Sequence, residues 1–190
     1  MRLIISPAKK MREDTDSFPY HSLPRFLPQT REILAALRAM SPAELQALWK
    51  CSDRITAQNV ARLEAMDLER RLTPAVMAYE GIQYQYPALH GRSHAGENAH
   101  SSVLTQEELD YLEGHLRILS GFYGLLRPFD GVVAYRLEMG AKLSVAGKKD
   151  LYAYWGDTLA QALWEESDTV VNLASQEYSR CIAAHPKPGT

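Results

Sequence analysis

A mixed α/β domain is what this sequence predicts, and three observations carry the prediction. Short continuous apolar runs occur at Leu3-Ile4-Ile5, at 116–119 and at 170–173, each followed by small or polar residues. Between them lie segments with helix-start signals and apolar residues at helical spacing. With 190 residues and 46% hydrophobic content, the chain can bury one substantial core. Continuous apolar strands separated by helices imply a mostly parallel sheet covered on both faces. The expected fold class is therefore α/β (or α+β). A mostly buried central sheet is surrounded by helices within a single domain, 1–190, and a helical hairpin spans 42–66.

The elements follow in order. Residues 1–5 read as a buried strand running into the loop Ser6-Pro7-Ala8-Lys9. Prolines 19, 24 and 28 keep the next stretch irregular, and residues 30–40 carry Ile33, Leu34 and Leu37 on one stripe. Ser41-Pro42-Ala43-Glu44 is a helix start, with Ser41 as N-cap, proline at the first helical position and Glu44 closing a capping box. That helix ends near Lys50-Cys51. Ser52 then caps a second helix through residue 66, with Ile55, Val60 and Leu63 inward and Lys50, Arg54, Asn59 and Arg62 on the polar side. Residues 74–86 read as strand–turn–strand. Residues 90–102 read as a polar loop containing His90, His94 and His100. Thr105-Gln106-Glu107-Glu108 is another capping box, opening a helix to about residue 114. Asp150 starts one helix carrying Leu151, Tyr154, Trp155, Leu159 and Leu163. Residues 169–173 are a last buried strand, followed by a short helix with Glu177 and Tyr178.

Charge narrows the function classes. The net charge is −2, which is not the footprint of a generally basic nucleic-acid binder. Residues 1–75 nevertheless sum to +3 and the remainder to −5, so any nucleic-acid contact is expected as a local patch in the first half. The two cysteines, Cys51 and Cys181, are far apart and fit a reduced cytoplasmic setting. No zinc spacing occurs, no metal site is expected, and no apolar run reaches the roughly 20 residues that span a bilayer.

The stretch 116–143, LRILSGFYGLLRPFDGVVAYRLEMGAKL, organises the chain. Arg127, Asp130, Arg136 and Glu138 sit there among turn glycines and apolar residues. Charges in such surroundings are costly unless paired. They therefore form either a structural ion-pair network or a site. The motifs SGFYGLLRPFD, YRLEMG, LYAYWG and NLASQEY, with SPAK near the start, resemble the YaaA family of bacterial peroxide-stress proteins. The resemblance implies a cytoplasmic DNA-binding protein that protects against hydrogen peroxide. It also implies a helix-hairpin-helix-like element and a family-specific fold rather than a standard Rossmann sheet. Against the family pattern, the 90–102 loop is longer and the chain stops before the C-terminal part of longer members.

In open α/β sheets a site lies at the carboxyl ends of the strands. The candidates there are Lys9, Arg127, Asp130, Tyr135, Arg136, Glu138, Asn172, Ser175 and Glu177. Phosphate binding would use Lys9, Arg127 and Arg136. Lyase-type chemistry on a nucleobase or nucleotide would use Lys9 as amine, with Asp130 or Glu138 as carboxylate. DNA contacts are expected at Lys50, Arg54 and Arg62, with Lys9 and Lys10, through the phosphate backbone of double-stranded or distorted DNA. No cofactor and no obligate protein partner are expected. Arg136 and Glu138 are expected to meet other partners rather than each other, Asp130 being the candidate for Arg136. A binding protein without chemistry is the third reading.

Overall fold

The computed structural model describes residues 1–16, 18–84 and 104–187. In chain order they form β1 (Arg2–Ile5), β2 (Lys10–Met11), α1 (Leu27–Arg38), α2 (Pro42–Trp49) and α3 (Asp53–Ala65). Then come β3 (Thr73–Pro74), α4 (Ala75–Ala78), β4 (Tyr79–Glu80), a 3-10 turn (Ile82–Tyr84), α5 (Gln106–His115), β5 (Leu116–Ser120), β6 (Gly124–Leu126) and β7 (Gly131–Val132). The chain closes with α6 (Leu151–Trp155), α7 (Thr158–Glu166), β8 (Val170–Asn172) and α8 (Gln176–Ala183). The class is the expected mixed α/β.

The central sheet has the order β6-β5-β1-β8. β1 pairs in parallel with β5 (Leu3 opposite Leu116) and with β8 (Leu3 opposite Val171). Both crossovers are helical, as parallel pairing requires. β6 turns back antiparallel on β5, so the sheet is mixed. The reversal is tight. The Ser120 hydroxyl accepts the N–H groups of Phe122 and Tyr123 at 3.2 and 2.9 Å. Gly124 follows at φ +76, where a Cβ would stand 2.8 Å from Leu159 Cδ2 and 2.9 Å from Trp155 Cη2. Only glycine satisfies both the left-handed backbone and that contact.

An ion triad, buried at Arg117 and half-buried at Arg2 and Glu166, fastens the two central strands to α7. Arg117 is 3% exposed and bonds Glu166 Oε2 through Nη2 and Nε at 2.6 and 2.8 Å, while Arg2 Nε reaches the same oxygen at 2.9 Å. Burial pushes the Glu166 carboxyl up, but the two guanidinium groups outweigh it and hold it below its usual range.

Several expectations are corrected. Helix α1 starts at Leu27, and Pro28 sits in its first turn, where a missing N–H costs nothing, rather than in an irregular stretch. Residues 74–84 are not strand–turn–strand. Val76, Met77 and Ala78 are wholly buried in one helical turn, α4, flanked by two-residue strands, so aromatic and β-branched content did not decide the backbone here. The helix from Asp150 is two helices, because Gly156 at φ 51 breaks it after Trp155. Asp150 does cap the first, accepting the Ala153 N–H at 2.8 Å. The strand at 170–172 is not buried. As the outer strand of the sheet it leaves Val171 37% exposed, with Leu173 beyond it at 62%. Residues 90–102, with their three histidines, lie outside the described residues.

Candidate functional site

The site starts at the joint of the helical hairpin. The capping box forms as expected, with Ser41 accepting from the Glu44 N–H and Glu44 accepting from the Ser41 N–H. The joint itself is Lys50, held left-handed at φ 47, ψ 54. Its N–H donates to Gln46 O at 2.8 Å. The Gln46 amide then ties the turn, donating to Cys51 O at 3.3 Å and to Asp53 Oδ1 at 2.6 Å. Asp53 is thereby held by the turn, while the Ser52 side chain makes no cap bond. Asn59 is not on the polar side: it is 7% exposed and donates to Ile55 O at 2.8 Å.

The segment after β7 faces this joint. The same segment also packs against Gly121 in the β5–β6 turn, where a Cβ would be 3.0 Å from the Glu138 carbonyl carbon and the Met139 nitrogen. Between the joint and the segment lies a cavity of about 370 Å³, lined by Trp49, Lys50, Arg136, Glu138, Lys142 and Glu177, with Ala47, Leu48, Gly140 and Ala141. That volume falls in the range of small-ligand sites, roughly 300–1,000 Å³. Lys50 and the crevice residues Arg136, Glu138 and Glu177, expected as two sites, therefore share one. Both carboxylates already have partners. Glu138 Oε1 is 2.6 Å from Lys9 Nζ, and Glu177 Oε1 accepts the Gly140 N–H at 2.8 Å. Among the described residues, Lys50, Arg136 and Lys142 form no ion pair. The cavity thus holds three cations without an ion-pair partner among the described residues, beside a Glu138 paired with Lys9 and a Glu177 whose bond to the Gly140 N–H brings no counter-charge.

The remaining candidates are not part of its lining. Asp130 does not meet Arg136. It is 3% exposed, accepts from Ser22 Oγ at 2.6 Å and from the Arg127 N–H at 2.8 Å, and closes the loop before β7. Burial pushes its carboxyl up to about 6, against the opposing hydrogen bonds. The Arg127 side chain is exposed. Tyr135 is buried, its hydroxyl bonded to Ser120 Oγ at 2.7 Å and Tyr79 OH at 2.9 Å. Asn172 accepts the Ala174 N–H, and Ser175 is held by Ser6, whose Oγ accepts the Ser175 N–H at 2.8 Å. Lys10 pairs with Glu80 at 2.9 Å, Arg54 is exposed at the start of α3, and Arg62 is half-buried and lines a small void together with Trp49 and Arg136. Trp49, Lys142 and Ser6 were missed by the sequence reading. The only signal for them was adjacency to Lys50, to the YRLEMG motif and to the end of the first strand.

Cys181 is buried, and burial pushes its thiol up to about 11, away from the thiolate that reacts with peroxide. No group of three or more potential metal-ligating side chains occurs among the described residues.

Fold and cavity together define a mixed α/β domain with a pocket lined by charged residues of both signs at the joint of a helical hairpin. The family model described as "Peroxide stress protein YaaA" matches residues 1–188, and the chain belongs to that family. It is 49% identical over 188 residues to a UPF0246 protein of Lactiplantibacillus plantarum, covering 99% of this chain and 71% of that protein. It is 48% identical to one of Agathobacter rectalis and 50% identical to one of Limosilactobacillus fermentum, with the same coverage. Family membership supports a role in peroxide stress.

Proposed function

We propose that this protein serves the peroxide-stress response as a cytoplasmic DNA-binding protein, holding a phosphate-bearing unit of the strand in the cavity between α2 and the segment 136–142. The observation that carries this is the set of cations Lys50, Arg136 and Lys142, which have no acidic partner among the described residues in a cavity whose acids are engaged. Arginine and lysine there suit phosphate oxygens. Flanking phosphates reach the exposed Arg54. They also reach Lys9 and Lys10, whose ion pairs are solvent-exposed and therefore weak competitors. With two or three phosphates neutralised, binding of a labelled duplex should fall with salt at a log–log slope of about −2 to −3. Replacing Lys50, Arg136 and Lys142 together by Ala should flatten that slope and weaken all sequences alike. Unchanged binding by the triple variant rejects the cavity as the contact.

A second reading rests on the Lys9–Glu138 contact of 2.6 Å. An amine beside a carboxylate that can accept its proton is the arrangement for Schiff-base chemistry on an aldehyde, such as a base-free deoxyribose in damaged DNA. Condensation releases one water and leaves a C=N bond. Borohydride should then trap a covalent adduct with abasic DNA in the wild type but not in Lys9→Ala. No adduct in the wild type retires this reading.

A further inference from the structure

Residues 76–190 carry a net charge of −5, yet the eight residues 142–149, KLSVAGKK, hold three lysines and no acid. They fold into a knuckle. Val145 and Lys148 form an antiparallel bridge, exchanging N–H···O bonds of 3.2 and 2.8 Å, so the turn between them is only Ala146-Gly147. Both turn residues are left-handed, at φ 48 and φ 75, the form of two-residue turn whose twist suits a hairpin. The Ser144 hydroxyl donates to Lys148 O at 2.8 Å and ties the knuckle a second time. Leu143 and Val145 are 3% and 2% exposed and root it in the core, while the other six residues of the stretch are exposed. Among the described residues none of the three lysines forms an ion pair. Asp150, the nearest acid in sequence, caps α6 through the Ala153 N–H.

The knuckle grows out of the wall of the cavity between α2 and the segment 136–142, since Lys142 lines that cavity. In the hairpin register Lys149 stands opposite Ser144, two residues beyond Lys142 and at most about 7 Å further along the strand. That step matches the distance between neighbouring phosphates of one nucleic-acid strand. We infer that the knuckle is a second DNA contact, in which Lys148 and Lys149 hold the phosphate next to the one in the cavity. The inference rests on the DNA reading above and adds a surface that reading does not use. The lysines adjoin a cavity already assigned to a phosphate, so a single strand reaches both. Lysine meets phosphate as a point charge and carries no base readout, as a grip on any sequence requires. The rooted two-residue turn also fixes its backbone before DNA arrives, which lowers the ordering cost of binding.

Salt titrations of a labelled duplex separate the two contacts. The pair Lys148→Ala, Lys149→Ala should remove one of the two or three phosphates in the wild-type slope. The log–log slope then becomes shallower by about 1, and binding weakens about five- to tenfold near 0.1 M salt. The pair Lys148→Arg, Lys149→Arg keeps the charges and should retain wild-type slope and affinity. The pair Arg70→Ala, Arg71→Ala removes two exposed cations from the α3–β3 connection and should change neither. An unchanged slope in the lysine-to-alanine pair, with the Lys50, Arg136 and Lys142 triple variant still flattened, overturns this inference and leaves the cavity reading standing. The reverse result rejects the cavity and keeps the knuckle as the contact. An equal loss in the Arg70, Arg71 pair is an effect of bulk charge and also overturns the inference. A wild type that binds no duplex overturns both readings.

Discussion

Lys50 holds a backbone conformation that side chains resist. A non-glycine residue at φ 47 carries a strain of about 1–2 kcal/mol, since its Cβ crowds the following carbonyl. Here the left-handed residue closes α2 as its C-cap, its N–H bonded to Gln46 O. Lys50→Gly should therefore raise stability by about 0.5–1 kcal/mol in urea unfolding, the relief being partly offset by a looser unfolded chain. The same change should weaken DNA binding. A destabilised Lys50→Gly protein refutes the strain argument, and unchanged DNA affinity removes Lys50 from the contact. Asp130 offers a pH signature. Its folded value, about 6, lies above the ordinary 3.8, because burial disfavours the charged form. The folded state thus holds that proton more tightly. Its contribution is fully present below the unfolded value and is lost as pH rises through about 6. Between about pH 4 and about pH 7 the loss is on the order of 2–3 kcal/mol. Unfolding free energies at both pH values, compared between wild type and Asp130→Asn, should show this gradient only in the wild type. Equal gradients in the two proteins exclude Asp130 as its source.

Among the elements, α2 is the one on which the site depends, and it is only eight residues long. A helix this short is marginal alone and relies on its ends and its buried face. Its N-terminus is closed by the Ser41–Glu44 capping box, and Leu45 and Trp49 are its buried residues. Ser41→Ala should cost about 1 kcal/mol by leaving first-turn donors without a cap. The check is a lower denaturation midpoint in urea with an unchanged slope. No shift would mean that Leu45 and Trp49 alone hold the helix. The capping box was legible because four consecutive residues specify it. The break between α6 and α7 was not, because apolar spacing from Leu151 to Leu163 continues across Gly156 and tertiary contacts decide which helix each face serves.

For the molecule as a whole, the two outer strands of the central sheet differ in exposure, β6 being buried and β8 largely exposed. Hairpin β5–β6 ends it at one edge, while β8, paired among the described residues with β1 alone, leaves Val171 and Leu173 in solvent. An exposed apolar edge strand is a template for pairing with another chain. This 190-residue chain should self-associate with rising concentration in sedimentation velocity, and the double variant Val171→Lys, Leu173→Lys should remain dispersed. Equal association by the two proteins places the contact elsewhere.

The sequence by itself determined what short-range chemistry determines. Apolar runs marked three strands of the sheet, capping boxes marked two helix starts, and the motifs from SPAK to NLASQEY marked the family. It also placed Lys9 and Glu138 among the site candidates, and the fold brings them to 2.6 Å. Only the tertiary structure decided which charges meet. Asp130, Arg136 and Glu138 lie within one short stretch of sequence, yet Asp130 turns to Ser22 and Glu138 to Lys9, while Arg136 lines the cavity beside Lys50 without an ion pair among the described residues. The physical reason is that pairing of charges is settled by the approach of segments remote in sequence. Ser22 and Asp130 stand 108 residues apart and are joined by one bond. Local spacing shows that such residues need partners, and only the assembled core supplies them.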